Sequence, residues 1–185
     1  MTKVAASARI ATERMILRAP RRDDADAIFA RYASDPDVTR YMGFIRHASL
    51  KSTHEFLDRS EREWERDGVG VFLAESRDGA TLLGSTGLHL ETPYRAMTGY
   101  ILAKDAWGRG YATEALSAMA ALARDLGIVR LYAMTHPENV PSWRVLEKCG
   151  FTREGLLRRC FVFPNLDPKP ADVYCYARIL PEADA

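Results

Sequence analysis

The sequence predicts an α/β fold built on one mixed, mostly antiparallel sheet covered by helices on both faces. Two observations lead there. First, the strand-like stretches GVFLAES (70–76), TLLGSTGLHLE (81–91) and AMTGYILA (96–103) follow one another through links too short for anything but antiparallel pairing. Second, a four-turn helical pattern then leads into the strand-like VRLYAMT (129–135), a strand–helix–strand crossover that requires a parallel neighbour. The full order is β, α, α, β, β, β, α, β, α, β, β. No repeat or linker divides it, and 185 residues suffice for one core.

Residues 1–12 are small and polar and read as a flexible N-terminal leader, leaving 13–181 as a single domain. RMILRAPR (14–21) is the first strand and ends at Pro20. A helix follows over 22–35. Asp23 or Asp24 caps it, Ile28, Phe29 and Tyr32 face inward, and Pro36 stops it. The second helix starts near Ser49 or Ser52, where Ser52 to Glu55 is a capping box. It carries Phe56, Leu57 and Trp64, and it ends at Gly68 and Gly70. Asp78-Gly79 is a hairpin turn. Ala112, Ala115, Leu116, Met119, Ala120, Ala123 and Leu126 then recur at helical spacing, with Gly127 as the stop. Asn139 caps a short helix with Pro141 in its first turn, ending at Gly150. Two final strands span 151–163 and 171–180, and PNLDPKP between them is too rich in proline for a strand.

The formal net charge of +1 argues against a surface made for nucleic acid or membrane. Arg18, Arg21, Arg22, Arg158 and Arg159 are read as solvated or salt-bridged surface. Cys149, Cys160 and Cys175 are odd in number with no C-x-x-C, which suggests neither disulfides nor zinc and fits a reducing cytoplasm. His47, His54 and His136 lack metal spacing, and no apolar run reaches membrane length.

Function is concentrated in WGRGYATEAL (107–116). Glycine disfavours helix, yet Gly108 and Gly110 stand at a helix entrance. GRGYAT only approaches the dinucleotide fingerprint, with Thr113 at the third glycine, and the G-K-[S/T] of a phosphate loop is absent. Two readings remain: a plain left-handed turn, or a cradle in which the amides of Arg109, Gly110, Tyr111 and Ala112 converge on an anion with the helix dipole behind them.

These residues resemble the GNAT superfamily of acyl-CoA-dependent N-acetyltransferases, whose Q/R-x-x-G-x-G/A is read here as Trp107 to Ala112. NVPSWRVLEKCGF (139–151) is similar to that family's N-x-x-S/A…GF segment. GYILAKDAWGRGYATEAL together with DVYCYA resembles the branch of ribosomal-protein alanine N-acetyltransferases. The resemblance implies acetyl-CoA as co-substrate and an amine-bearing acceptor, with a protein N-terminus first and a small amine such as an antibiotic or polyamine second. It implies no nucleic acid, membrane or metal partner, and a monomer or homodimer. Ile101 and Leu102 would pair with the pantetheine arm, Gly108 to Ala112 and Thr113 would hold the pyrophosphate, and Asn139 and Ser142 would face the sulfur. Leu146 and Met97 stand where many members have tyrosine and glutamate, so a binding module without turnover is a rival reading.

Ser142 is the candidate acid for the leaving thiolate, or else a hydroxyl bonded to its own helix start. Glu91 and His89, two apart on one strand, are candidate bases or solvent-facing strand residues. Tyr174 and Tyr176 line an acceptor groove or pack internally. Asp172 binds a cationic substrate or braces a turn. Cys149 is read as a buried small residue.

Overall fold

The computed structural model describes residues 8–181. Its sheet has eight strands: β1 (Arg9–Ala11), β2 (Met15–Arg18), β3 (Val71–Ser76), β4 (Leu82–Thr92), β5 (Arg95–Leu102), β6 (Arg130–Thr135), β7 (Thr152–Phe163) and β8 (Asp167–Ile179). They lie in the order β1-β2-β3-β4-β5-β6-β8-β7. Only β5 and β6 run parallel. The helices are α1 (Ala25–Ile28), α2 (Pro36–Thr39), α3 (Leu50–Asp67), α4 (Tyr111–Asp125) and α5 (Val140–Lys148).

Alternation along the strands sends side chains into two cores. Leu116, Met119 and Ala123 of α4 pack with Phe72, Leu88 and Leu131. Ile28, Tyr32 and Leu57 pack with Leu73 and Ile101 in the other. Burying each large aliphatic group contributes about 1.5–3 kcal/mol.

Several boundaries differ from expectation. Arg9–Ala11, inside the expected leader, pairs with β2 as a strand, while residues 1–7 of that leader lie outside the described residues. The first helix opens as a 3-10 turn, and Asp24 there accepts the Arg21 N–H instead of capping from outside. Pro36 begins a helix: Asp35 caps α2 by accepting from the Asp37 and Val38 amides. Helix α3 starts after Ser49, the first of the two expected starts, so the Ser52 alternative falls inside the helix. Strand β8 runs through Asp167–Pro170, correcting the expectation for PNLDPKP. There β8 has only β7 beside it, since its pairing with β6 reaches no further than Tyr174, so prolines cost no ladder bond on the open side.

The feature that positions everything else is the β5–β6 pair. Its register runs Arg95↔Arg130, Ala96↔Leu131, Met97↔Tyr132 and stops there. Beyond Met97 the strands diverge, and the sheet opens.

Candidate active site

The opening holds a cavity of about 560 Å³. Tyr100, Ile101 and Leu102 form its floor, and α5 supplies one wall through Ser142, Arg144 and Lys148. The glycine turn lines it too, as do Val38 of α2 and Tyr41 and Met42 just beyond that helix.

Strand alternation decides which backbone groups face the gap. The Ala103 N–H donates to the Leu83 carbonyl, and a Cβ on Gly84 would lie 2.1 Å from the Ile101 oxygen. Ile101 and Ala103 therefore turn their polar groups to β4, while Tyr100 and Leu102 turn theirs to the gap. This corrects the expectation for Ile101, whose backbone is committed to β4. Leu102 faces the cavity, but its carbonyl already accepts the Trp107 indole N–H at 2.8 Å.

Gly108 and Gly110 have φ of 70° and 82°, the left-handed region that side-chain-bearing residues avoid. A Cβ on Gly108 would meet nothing, and one on Gly110 would lie 3.2 Å from the Arg14 guanidinium. The first backbone bond of α4 runs from the Glu114 N–H to the Gly110 carbonyl. The amides of Arg109 to Ala112 have no acceptor among the described residues. Arg14 holds the turn from behind, donating to the Arg109 carbonyl at 2.8 Å and to the Glu114 carboxylate at 2.7 Å. Both Arg14 and Arg109 lie over the Tyr111 ring. Burial alone would raise the Glu114 pKa. Hydrogen bonds from Thr12 and from the Arg14 amide and guanidinium outweigh it and hold the carboxyl below its ordinary range. Arg14 and Glu114 are functional supports that sequence reasoning missed, lying 100 residues apart.

Tyr100 was missed as well. Its hydroxyl donates to the Ser142 carbonyl at 2.8 Å and lies 3.1 Å from Ser142 Oγ. Burial pushes the Tyr100 pKa far up despite the bond to Ser142, so the phenol stays protonated. Asn139 precedes α5 without capping it through its side chain, and it lines the cavity with Thr113.

The other candidates lie elsewhere. His89 pairs with Met97 across β4 and β5, on the closed side of the split. Its ring is bound to Glu63 at 2.5 Å, which raises its pKa. Glu91 is taken by Arg95 at 2.7 Å and by the Tyr132 hydroxyl. Five residues from Met97 to Leu102 put His89 roughly 17 Å from the end of β5. Neither lines the cavity. Tyr176 is fully buried and donates to Glu147. Tyr174 packs against the core beneath the Arg153 guanidinium. Asp172 accepts the Arg159 N–H at 2.9 Å, bracing a bulge in which Arg159 has φ of 46°. Cys149 is buried, its Sγ donates to the Thr113 carbonyl, and burial raises its pKa. Among the described residues no helix is long and apolar enough to cross a membrane.

A sheet opened between two parallel strands, with a bare-amide turn at the opening, defines an acyl-carrier cleft of the acetyltransferase type. The family model for the acetyltransferase (GNAT) domain matches residues 14–152, and the chain belongs to that family. It is an acetyl-CoA-dependent N-acetyltransferase by class. Among its relatives is YoaA of Bacillus subtilis (strain 168), an uncharacterized N-acetyltransferase, 32% identical over 166 residues that cover 88% of this chain and 93% of YoaA. A GNAT-family acetyltransferase from Bacillus anthracis is similar in structure, with a TM-score of 0.79, 27% identity, and coverage of 92% of this chain and 98% of that one. RimL, a ribosomal-protein α-N-acetyltransferase solved with coenzyme A, shares the fold at a TM-score of 0.81 with 22% identity, over 93% and 98% of the two chains.

Proposed function

We propose that this enzyme acetylates a protein N-terminal amine by direct attack on acetyl-CoA in a ternary complex, acting in the cytoplasm as one domain that takes in β1 ahead of the expected start at residue 13. The observation that carries the choice of acceptor is the poverty of bases. Among the residues that line the cavity only Asp37 bears a carboxylate, and Lys104 holds it in an ion pair. An α-amine with pKa about 8 sheds its proton to water far more readily than a lysine at about 10.4. A site without a free base suits the former. The likeness to RimL and to a ribosomal-protein-serine acetyltransferase from Vibrio cholerae, at 24% identity and a TM-score of 0.76, agrees with it.

Acetyl-CoA supplies the activated acyl group. The residues here supply grip, alignment and one proton. The amides of Arg109 to Ala112, with the Thr113 hydroxyl, hold the pyrophosphate at the positive end of α4. Arg144 and Lys148, four apart on the α5 wall, add positive charge beside it. The Leu102 N–H polarises the thioester carbonyl. Ser142 Oγ, 3.1 Å from the Tyr100 hydroxyl and flanked by Asn139, passes its proton to the leaving sulfur and recovers one through water from the nitrogen that has attacked, so the proton the amine loses ends on the thiol. Leu146, at the position of the missing family tyrosine, is buried in the core, and the Tyr100–Ser142 pair takes over that task.

The test is thiol release from acetyl-CoA with peptides bearing free N-terminal serine, alanine or methionine, set against lysine side chains, polyamines and aminoglycosides. Preference for the α-amines supports the reading. Faster turnover of a small amine assigns a small-molecule acceptor instead, and tight acetyl-CoA binding with no release from any amine assigns a binding module.

A further inference from the structure

We propose that Asn165, at the turn of the β7–β8 hairpin, is a positioning residue that holds the acceptor wall of the cavity in shape, an inference that rests on the functional reading above. The wall residues Tyr41 and Met42 sit at the head of the irregular segment between α2 and α3. Its own backbone ties near Tyr41 and Met42 are the Met42 N–H to the Thr39 carbonyl and, further on, the His47 N–H to the Ala33 carbonyl, while His47 also bonds Thr53 of α3 and Met42 and Phe44 pack on the core.

Asn165 grips it at three points. Its Nδ2 donates to the Thr39 carbonyl at 2.8 Å and to the Phe44 carbonyl at 2.9 Å, and its Oδ1 accepts the Arg46 N–H at 2.9 Å. Both amide hydrogens are used. The flipped amide would set its oxygen against two carbonyls, so the network fixes the orientation. The bonded points straddle Tyr41 and Met42. Aromatic packing continues the contact: Tyr41 stacks on His136 at 5.0 Å, His136 meets the Phe163 ring at 5.0 Å, and Phe163 meets Phe161 at 5.1 Å. Phe161 presses on Gly43, where a Cβ would lie 2.5 Å from the ring. The hairpin and the segment thus mate as two fitted surfaces with Asn165 fixing their register. Asn165 lines neither the cavity nor the glycine turn, so its influence reaches the cavity through Tyr41 and Met42; with the glycine turn and α5 given to acetyl-CoA under the proposed function, this wall is left to the acceptor. A preorganised wall is what aligns an incoming amine with a carbonyl, and misplacement by about 1 Å costs about a hundredfold in rate.

The experiment uses the full chain with Asn165→Ala, Asn165→Asp and Gly43→Ala. Asn165→Asp keeps the size and the Arg46 bond but opposes both carbonyls. Gly43→Ala wedges the same interface with Asn165 intact. Acceptor KM and kcat are measured with whichever N-terminal peptide or amine the wild type turns over fastest. Acetyl-CoA affinity is read by calorimetry and folding by melting temperature. Each variant should lower acceptor kcat/KM by about tenfold or more, about 1.4 kcal/mol: the Asn165 variants through two or three lost hydrogen bonds, and Gly43→Ala through the Cβ driven against the Phe161 ring. Acetyl-CoA affinity should stay within about twofold of wild type. Unchanged acceptor kinetics overturn the inference, and so does an equal loss of acetyl-CoA affinity and acceptor turnover. Should Asn165→Ala fail to fold, the other two variants carry the comparison. A wild type silent toward every amine sinks the functional reading and this inference together, whereas an active wild type with indifferent variants sinks the inference alone.

Discussion

Gly110→Asp is the sharpest test of the phosphate cradle. Gly110 has φ of 82° and sits at the N-cap of α4. Aspartate there carries a backbone cost of about 1–2 kcal/mol. Its carboxylate would stand about 5 Å from a bound phosphate, and at an effective dielectric of about 20 one pair of unit charges repels by about 3 kcal/mol. The turn is exposed, so water and salt reduce that to about 1–2 kcal/mol. The new group also competes for Arg14, 3.2 Å from the Gly110 Cβ position, and pulls it from the Arg109 carbonyl. Together these weaken acetyl-CoA by about tenfold to a hundredfold, at about 1.4 kcal/mol per factor of ten. Calorimetry with acetyl-CoA reads the loss, and raising salt should shrink it. Two controls isolate the cause. S-acetylpantetheine lacks the pyrophosphate and should bind both proteins alike. Gly127→Asp places the same residue at φ of 78° at the far end of α4, in open space, and should leave affinity intact. Unchanged acetyl-CoA affinity in Gly110→Asp, or an equal loss in Gly127→Asp, would refute the cradle.

Ser142→Ala and Tyr100→Phe should each lower kcat by about tenfold to a hundredfold while acetyl-CoA affinity stays near wild type, the mark of a proton donor and its orienter; equal loss of both quantities would reduce the hydroxyls to binding groups. Trp107→Phe removes the indole N–H from the Leu102 carbonyl and should weaken acetyl-CoA severalfold by calorimetry, with folding lowered by about 1 kcal/mol in urea melts. His47 is bound to Thr53, and burial holds its pKa below the ordinary value. Its stabilisation is therefore present above pH about 6.5 and lost as pH falls through the folded-state value. His89, raised by Glu63, acts in the opposite direction, its contribution present below pH about 6.5 and lost as pH rises through its raised value. Melting temperature should thus drop more steeply on acidification in His89→Gln than in wild type, and flatten in His47→Gln; identical slopes in all three would refute the assignment.

The glycine turn was legible in sequence because left-handed backbone leaves a chemical trace: two glycines where helix propensity forbids them. The β3–β4 hairpin was legible for the same reason through Gly79, with φ of 72°. Glu91 and His89 misled because alternation tells which face a residue shares, not how far along the strand the sheet opens. That distance is set where β5 and β6 part, a non-local matter. Tyr174 and Tyr176 shared a face as expected, but the placement of α5 turned that face inward. Tyr100 was passed over as an ordinary strand former, although two-residue spacing from Leu102 pointed it to the same gap. Asn165 hid in plain turn chemistry, since asparagine is common in turns for its own backbone's sake.

Met97↔Tyr132 is the last rung of the β5–β6 pair, and Tyr100 and Leu102, paired with β4 on one side, are left without a strand on the β6 side. An unfinished sheet is a thermodynamic debt, and whatever threads the gap settles it with main-chain bonds. Co-substrate occupancy and conformational resilience are therefore one coupled quantity, and the enzyme's endurance against heat should track the free acetyl-CoA concentration logarithmically, by about 2.7 kcal/mol at a hundredfold excess over Kd.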